Sequence, residues 1–381
     1  MNFIIMNMRY KYLGILGLVL WLSSCQKIDY NLGTSIPDTM TPMSLTSAKA
    51  VDMMLIFQGG THRPAWTQEE LEPFVTYVDP ETSVENWLFD GFLIIEANDG
   101  AGRDMLAPVY PDQFTGKLGR KIEWENQLTR QFTTNNGIDA LNKLITVKST
   151  KIGAPKRKRQ VVICLPEPAP GQTDWGALDG RTLNFSSQND RLTALRWYID
   201  QIIAKWNALN PQNLELAGFY WTPESAYISQ VMLPTVKSYI RTKSPNFQFY
   251  HIPHWGASLR PDWKKQGFDI SYQQPNEFFK KVRLNKVKVA VDYAIKNGMS
   301  LEFEFDESAL LKYNYLKRDL FMEYYNDFKD AGIWENYPLT YYQDHKAWVA
   351  YINSTDSKDQ EITRLLARTI VDRQKRADLL K

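Results

Sequence analysis

Cysteine is almost missing from this chain: there are two in 381 residues, Cys25 and Cys164. Two thiols cannot build a disulfide framework. An excess of one charge is missing as well, because 45 Lys and Arg face 43 Asp and Glu. A net of +2 argues against nucleic acid as a partner, since phosphate binding usually leaves a strongly basic balance. No P-loop, zinc-protease or nucleophile-elbow string occurs, so the motifs imply no cofactor and no metal. At 44% hydrophobic and 23% charged, the chain is too apolar for a disordered one. Aromatic residues are what it has in quantity: 12 Trp, 20 Tyr and 18 Phe.

The first segment reads as an address. Arg9 and Lys11 precede an apolar run from Tyr12 to Leu22, followed by Ser23, Ser24 and Cys25. The run is shorter than the roughly 20 residues a spanning helix needs and has the layout of an export signal. The string Leu22-Ser23-Ser24-Cys25 resembles a bacterial lipobox, which implies that Cys25 becomes the diacylated first residue of the mature protein. The expected partition is a signal peptide over 1–24, a tether over 25–46 and one folded domain over 47–381. The expected location is the bacterial cell envelope, at the outer membrane or its periplasmic face, with the membrane contacted through the lipid on Cys25. Removing 1–24 takes away two basic groups and no acidic one, which leaves the charges balanced. Cys164 lies in the apolar string Val161–Leu165, where a buried inert thiol is expected.

From Ala50 onward short apolar runs alternate with long amphipathic ones. Strands are predicted at Val51–Gln58, Phe89–Asn98, Gln160–Pro166, Leu214–Thr222, Phe247–His254, Phe268–Gln274, Ser300–Asp306 and Leu339–Gln343. Helical patterns fall between them at Thr67–Val78, Ile122–Val147, Ser187–Leu209, Ile228–Thr242, Asn276–Asn297 and Tyr313–Ala331, with a last one at Asp359–Leu380. After the fifth strand only Arg260–Gln266 is available for a helix. Strands separated by helices imply parallel pairing, and eight such units imply an α/β fold of the (β/α)8 TIM-barrel type as a single domain. A doubly wound open sheet would want a Gly-rich phosphate turn after the first strand, which Phe57-Gln58-Gly59-Gly60-Thr61-His62 is not.

In such a barrel the site forms where strands end. The strand exits carry Gln58, His62 and Arg63; Glu96 and Asn98; Glu167; Trp221 and Glu224; His254 and Trp255; Gln273, Gln274 and Asn276; Glu302, Glu304 and Asp306; and Tyr342, Gln343, Asp344 and His345. Acids and amides satisfy hydroxyl groups, and Trp and Tyr offer flat faces with a polar edge, so the collar suits a carbohydrate. On the seventh strand the period of two puts Glu302, Glu304 and Asp306 on one face, inward, and Phe303 and Phe305 on the other, under the helices. Acids buried in a barrel are costly, and the cost is usually met where function needs it.

Carboxylates after the fourth and seventh strands resemble the arrangement of the large superfamily of retaining barrel glycosidases. That resemblance implies Glu224 as acid/base and Glu304 as nucleophile. The superfamily usually has Asn before its acid/base and this chain has Pro223, so the pairing rests on strand order. The chain also resembles a family of secreted bacterial lipoproteins known only as a domain of unknown function. The strings that carry this are His62-Arg63-Pro64, Gly91-Phe92-Leu93, Gly218-Phe219-Tyr220-Trp221, Tyr250-His251-Ile252-Pro253-His254, Tyr272-Gln273-Gln274-Pro275-Asn276 and Glu302-Phe303-Glu304-Phe305-Asp306. The resemblance implies a glycosidase-like barrel and brings no assigned site residues.

The expected substrate-binding set is His62, Arg63, Glu96, Asn98, Trp221, His254, Trp255, Gln274, Asn276, Asp306, Tyr342 and Asp344. Two other readings stay open: a non-catalytic glycan-binding lipoprotein, and a metal-dependent hydrolase using Glu302, Glu304, Asp306 and Asp344 as oxygen ligands. His251 and His254 face opposite sides of a strand and cannot form a metal pair there. The run Lys156-Arg157-Lys158-Arg159 precedes a strand, so it belongs at the end away from the mouth, as a solvated or lipid-facing cluster.

Overall fold

A strand whose alternate residues are all apolar on both faces must be buried on both, which in a barrel means side chains filling the interior and side chains under the helices. The computed structural model of the protein, which describes residues 43–59, 66–108, 114–280, 286–344 and 346–380, has this arrangement. Eight parallel strands close on one another: β1 (Asp52–Phe57), β2 (Gly91–Ile95), β3 (Arg159–Leu165), β4 (Leu214–Trp221), β5 (Gln248–His251), β6 (Ile270–Gln273), β7 (Ser300–Glu304) and β8 (Leu339–Tyr342). Each pairs with its sequence neighbours, and β8 returns to β1 through Met53 opposite Thr340. All eight predicted strands are the barrel strands, and the fold is a single-domain (β/α)8 barrel.

The helices are α1 (Gln68–Val75), α2 (Lys121–Gln131), α3 (Gly137–Ile152), α4 (Gln188–Leu209), α5 (Leu233–Lys243), α6 (Val287–Lys296), α7 (Arg318–Asp330), α8 (Ile333–Asn336), α9 (Ala347–Asn353) and α10 (Ser357–Leu380). The single helix expected over Ile122–Val147 is two, because Thr133–Asn136 are poor helix formers and Asn135 and Gly137 take positive φ. The segment after β5 holds only a 3-10 turn, Arg260–Asp262. Among the described residues no helix is long and apolar enough to cross a membrane. The expected signal peptide, the tether up to residue 42, Cys25, His62, Arg63 and His345 lie outside the described residues.

One residue sets the parity of β4. The register against β3 slips between Leu216 and Gly218, a bulge that leaves Ala217 and Tyr220 inside and sends Phe219 and Trp221 outside. Gly218 has φ 152°, and a Cβ there would lie 1.9 Å from the carbonyl oxygen of Gln248. Only glycine fits so close to the neighbouring strand.

The end of the barrel where the strands begin is sealed. Ala48 and Ala50 pack into the interior with Met53. Gln248, the first residue of β5, donates to the Ser47 carbonyl at 3.0 Å and accepts from the Lys49 N–H at 3.0 Å. At the same end Asp52 meets Arg373 of α10 at 2.6 Å, with the Gln374 amide at 2.6 Å and the Tyr341 hydroxyl at 2.7 Å. All of this is buried, and both oxygens of the carboxylate have partners. The basic run 156–159 is divided. Lys156 and Lys158 are exposed, whereas Arg157 binds Asp90 at 2.9 Å and Asp378 at 2.7 Å. Arg159 is buried against the Trp87 ring, and burial pulls its guanidinium down to about 10. Half of the expected solvated cluster is therefore structural. Cys164 is the inert thiol expected: its sulfur accepts from the Glu96 N–H at 3.3 Å and the Gln127 amide at 3.1 Å, and burial pushes it up to about 12.

Candidate active site

Strand ends place the site. A cavity of about 480 Å³ opens at the C-terminal end of the barrel, lined on its polar side by Glu167, Glu224, His254, Gln274, Asn276, Glu302 and Glu304. Its apolar wall includes Leu55, Phe57, Ile252, Phe279 and Tyr342. The Tyr342 ring meets Phe57 at 5.5 Å and Phe279 at 5.0 Å, edge to face in both pairs.

Glu304 ends β7 and is 1% exposed. The Tyr324 hydroxyl, reaching in from α7, donates to its Oε2, and the Asn276 amide donates to Oε1 at 3.4 Å. Asn276, in a left-handed turn at φ 54°, also donates to Gln274 Oε1 at 2.7 Å. The Gln274 amide in turn serves the Glu224 carboxyl and the Ile252 carbonyl, the latter at 3.1 Å. Two amides thus bridge carboxyls from strands four and seven.

Glu224 is set by the turn that precedes it. Thr222 donates to the Leu165 carbonyl at 2.7 Å, pinning the end of β4 to β3. The Pro223 carbonyl accepts from His251 Nε2 at 3.3 Å. His251 is buried on the outer side of the barrel, stacked on Phe268 at 4.4 Å, and burial drops it to about 3, so it stays neutral and oriented. The proline ahead of Glu224 thus has its carbonyl held from behind. His254 faces the cavity, and its Nδ1 accepts from the Gly256 N–H at 2.9 Å, which leaves the proton of the neutral ring on Nε2.

Burial pushes Glu304 up to about 7, opposed by the Tyr324 and Asn276 donors and reinforced by the charge of Glu224. Glu302, two residues deeper, is raised well above its ordinary value by burial and by both other acids; it accepts a hydrogen bond from the Thr340 hydroxyl at 3.3 Å. Among the described residues no ion pair offsets that burial, so its charged form is disfavoured. Glu224 is raised by the crowding walls, with the Gln274 amide and His254 opposing. Its side chain is exposed to cavity water, which moderates that rise. The three titrate as one coupled set. Glu167 stands two residues past the end of β3 and is pushed up to about 7 by burial. It works as a latch, accepting from the Ser229 hydroxyl at 2.5 Å and the Ala107 N–H at 3.1 Å. Arg191 holds Ser229 at 2.7 Å. The latch joins the loop after β2 to the loop that carries Glu224.

The cavity thus brings together Glu224, Glu304, His254, Gln274, Asn276 and Tyr342 of the expected set. It leaves six others elsewhere. Trp221 is fully buried on the outer face by the Gly218 bulge, and Tyr220 takes the inward place. Glu96 is buried in an ion pair with Arg130, whose Nε lies 3.0 Å away. Asn98 turns onto the Gly100 N–H at 3.2 Å. Trp255 stacks on the Arg260 guanidinium at 4.1 Å. Asp306 lies past the end of β7, where it caps a 3-10 turn by accepting from the Ser308 N–H at 2.7 Å. Asp344 sits in a left-handed turn at φ 57°, outside the lining. The amides Gln58, Gln273 and Gln343 are buried and also lie outside it. The oxygen set Glu302, Glu304, Asp306 and Asp344 is accordingly not assembled, and among the described residues no group of three His, Cys, Asp or Glu is arranged to hold a metal ion. Glu167, one of the strand-exit acids, joins the lining, as do Phe57, Phe279 and Tyr220, which the strand-exit reading did not include; Tyr220 faces inward because the Gly218 bulge shifts the alternation.

Fold and site together define a (β/α)8 barrel with an acid-lined mouth. The family described as Domain of unknown function (DUF4855) matches residues 52–368, and the chain belongs to it. No curated protein matches. Among solved structures, the barrel is similar to a Thermomonospora fusca beta-mannanase complexed with mannotriose, at 8% identity and TM-score 0.33 over 76% of this chain and 78% of that one. An intracellular xylanase from Thermoanaerobacterium saccharolyticum with xylotetraose is similar at 11% identity and TM-score 0.38, over 80% and 89%. The tryptophan synthase complex of Pyrococcus furiosus is similar at 8% and 0.37, over 87% and 100%. At these scores the likenesses carry no argument about chemistry.

Proposed function

We propose that this protein is a glycoside hydrolase of the retaining type, with Glu224 as acid/base and Glu304 as nucleophile. The observation that carries the reading is that Glu224 and Glu304, 80 residues apart in sequence, line one cavity and are bridged by Gln274 and Asn276. In the first step the Glu304 carboxylate attacks the anomeric carbon while the Glu224 proton goes to the departing glycosidic oxygen. In the second, Glu224 takes a proton from water, whose oxygen displaces Glu304 and releases the sugar. Donors converge on Glu304, which favours the charge there; the more open Glu224 exchanges its proton with the cavity.

The test is product release from a panel of mannan, xylan, β-glucan and host glycans, read by mass spectrometry. Wild-type protein is expected to release fragments and the Glu224→Gln variant none. Tight binding with no product from any member over long incubation would replace this reading with a non-catalytic glycan-binding protein. Because Glu167 holds the Glu224 loop, Glu167→Gln is expected to lower kcat by about 10- to 100-fold with the circular dichroism unchanged; a wild-type kcat would remove the latch from the mechanism.

We further propose that the chain is exported and lipidated at Cys25, supported by the basic, apolar and small-residue order of 1–25. Cys25→Ser is expected to shift the protein from the detergent phase to the aqueous phase, and an unchanged partition would refute the anchor.

A further inference from the structure

The aromatic wall of the cavity does not stop at its mouth. Phe279 lines the cavity and packs on Tyr342, yet it remains 41% exposed. The Lys317 ammonium lies 5.8 Å from the Phe279 ring and is bonded to the Phe278 carbonyl, so the segment after β7 runs alongside. On that segment Tyr313 is 48% and Leu316 75% exposed. These are large apolar surfaces on a segment that is firmly held. Asp359 accepts the Leu311 N–H at 3.0 Å, and the Tyr315 hydroxyl donates to Asp356 at 2.9 Å. Asn314 and Tyr315 both adopt left-handed backbone, at φ 52° and 57°, which is costly for a tyrosine. Tyr313 and Leu316 thus stand exposed on a strained, anchored turn whose next residue, Lys317, reaches the Phe279 ring at the cavity.

We propose that the cavity holds only the part of the glycan being cleaved, and that the rest of a longer chain leaves across an apolar ridge of Phe279, Tyr313 and Leu316. This rests on the glycoside hydrolase reading and specifies its substrate as a polymer. A cavity of about 480 Å³ takes a few sugar rings, so a polysaccharide must emerge from it. Continuity with the lined cavity selects a glycan over other occupants: the C–H face of a sugar ring packs on an aromatic ring, and its hydroxyls stay in water.

The test measures binding of mannan-, xylan- and β-glucan-derived oligosaccharides, from disaccharide to octasaccharide, to the Glu304→Gln protein, which reads affinity without cleavage. Affinity is expected to climb with length, and the double variant Tyr313→Ala, Leu316→Ala to lose about tenfold for the longest members with disaccharide affinity kept. Tyr313→Phe should keep the long-chain affinity, which separates stacking from folding. Affinity independent of length, equal loss for short and long members, or retention of none of the three series overturns the proposal. So does a double variant that loses self-association or vesicle binding with glycan affinity intact, since the ridge would then serve a second copy or a lipid surface. Absence of product from wild-type protein with every series would sink the hydrolase reading alone, with the length dependence still measurable.

Discussion

Replacing Glu304 by Gln is expected to lower turnover by roughly 10³-fold or more and, in the same molecule, to raise Tm at pH 8 by a few degrees. The first effect follows from removing the attacking oxygen. The second follows from the cost of a charge in a buried place. The ordinary carboxyl value of 4.5 is pushed to about 7 in the folded protein. Below about pH 4.5 the group is protonated in both states and costs the fold nothing. As pH rises toward and through 7 the unfolded chain ionises freely while the folded one resists, so stability is lost, on the order of 2–3 kcal/mol by pH 8. Glutamine is neutral throughout and removes that loss, less the hydrogen-bond mismatch it creates with Asn276. The difference in Tm between variant and wild type should therefore be small at pH 5 and grow to pH 8. In the wild type, kcat/KM should rise on the acid side with a midpoint near 7. Two results would count against the account: unchanged turnover in the variant, or a variant less stable than wild type at pH 8.

Gly218→Ala is expected to cost on the order of 3–5 kcal/mol, combining a backbone at φ 152° with a methyl group 1.9 Å from the Gln248 oxygen. The chain has two ways to relieve the clash. It can push β5 away, or it can lose the bulge and slip β4 by one residue. A slip would drive Trp221 inward and Tyr220 out, and would carry Glu224 off its place beside Gln274. Urea midpoints and soluble yield read the first consequence, and product release reads the second. A loss within about 1 kcal/mol with full activity would show that the bulge does not set the parity of β4.

The barrel was legible because short apolar runs alternate with amphipathic stretches, two of which end at Asn297-Gly298 and Ala331-Gly332 just before the next strand, a pattern that admits few other architectures. Pairing of the carboxyls was legible too, since inward acids on a strand whose outward neighbours are Phe303 and Phe305 have one place to go. What strand-end reading missed was parity and competition. Trp221 stands at a strand exit in the sequence, but a single glycine three residues earlier decides which way it faces. Asp306 continues the alternation of Glu302 and Glu304 on paper, yet β7 ends at Glu304 and the carboxylate finds backbone donors in the next turn. Glu96 has the chemistry of a ligand contact and is claimed by Arg130, which lies on a helix 34 residues away in sequence. Such claims come from the tertiary neighbourhood, and no window of sequence contains them.

The alanine-plugged floor settles how the protein can be held. Among the described residues the chain enters the barrel through this pole, at Ser47, Ala48 and Ala50, the end opposite the acid-lined mouth. A purification tag or surface-immobilisation handle joined directly ahead of that entry is attached through the plugged pole and not through the strand ends that build the cavity.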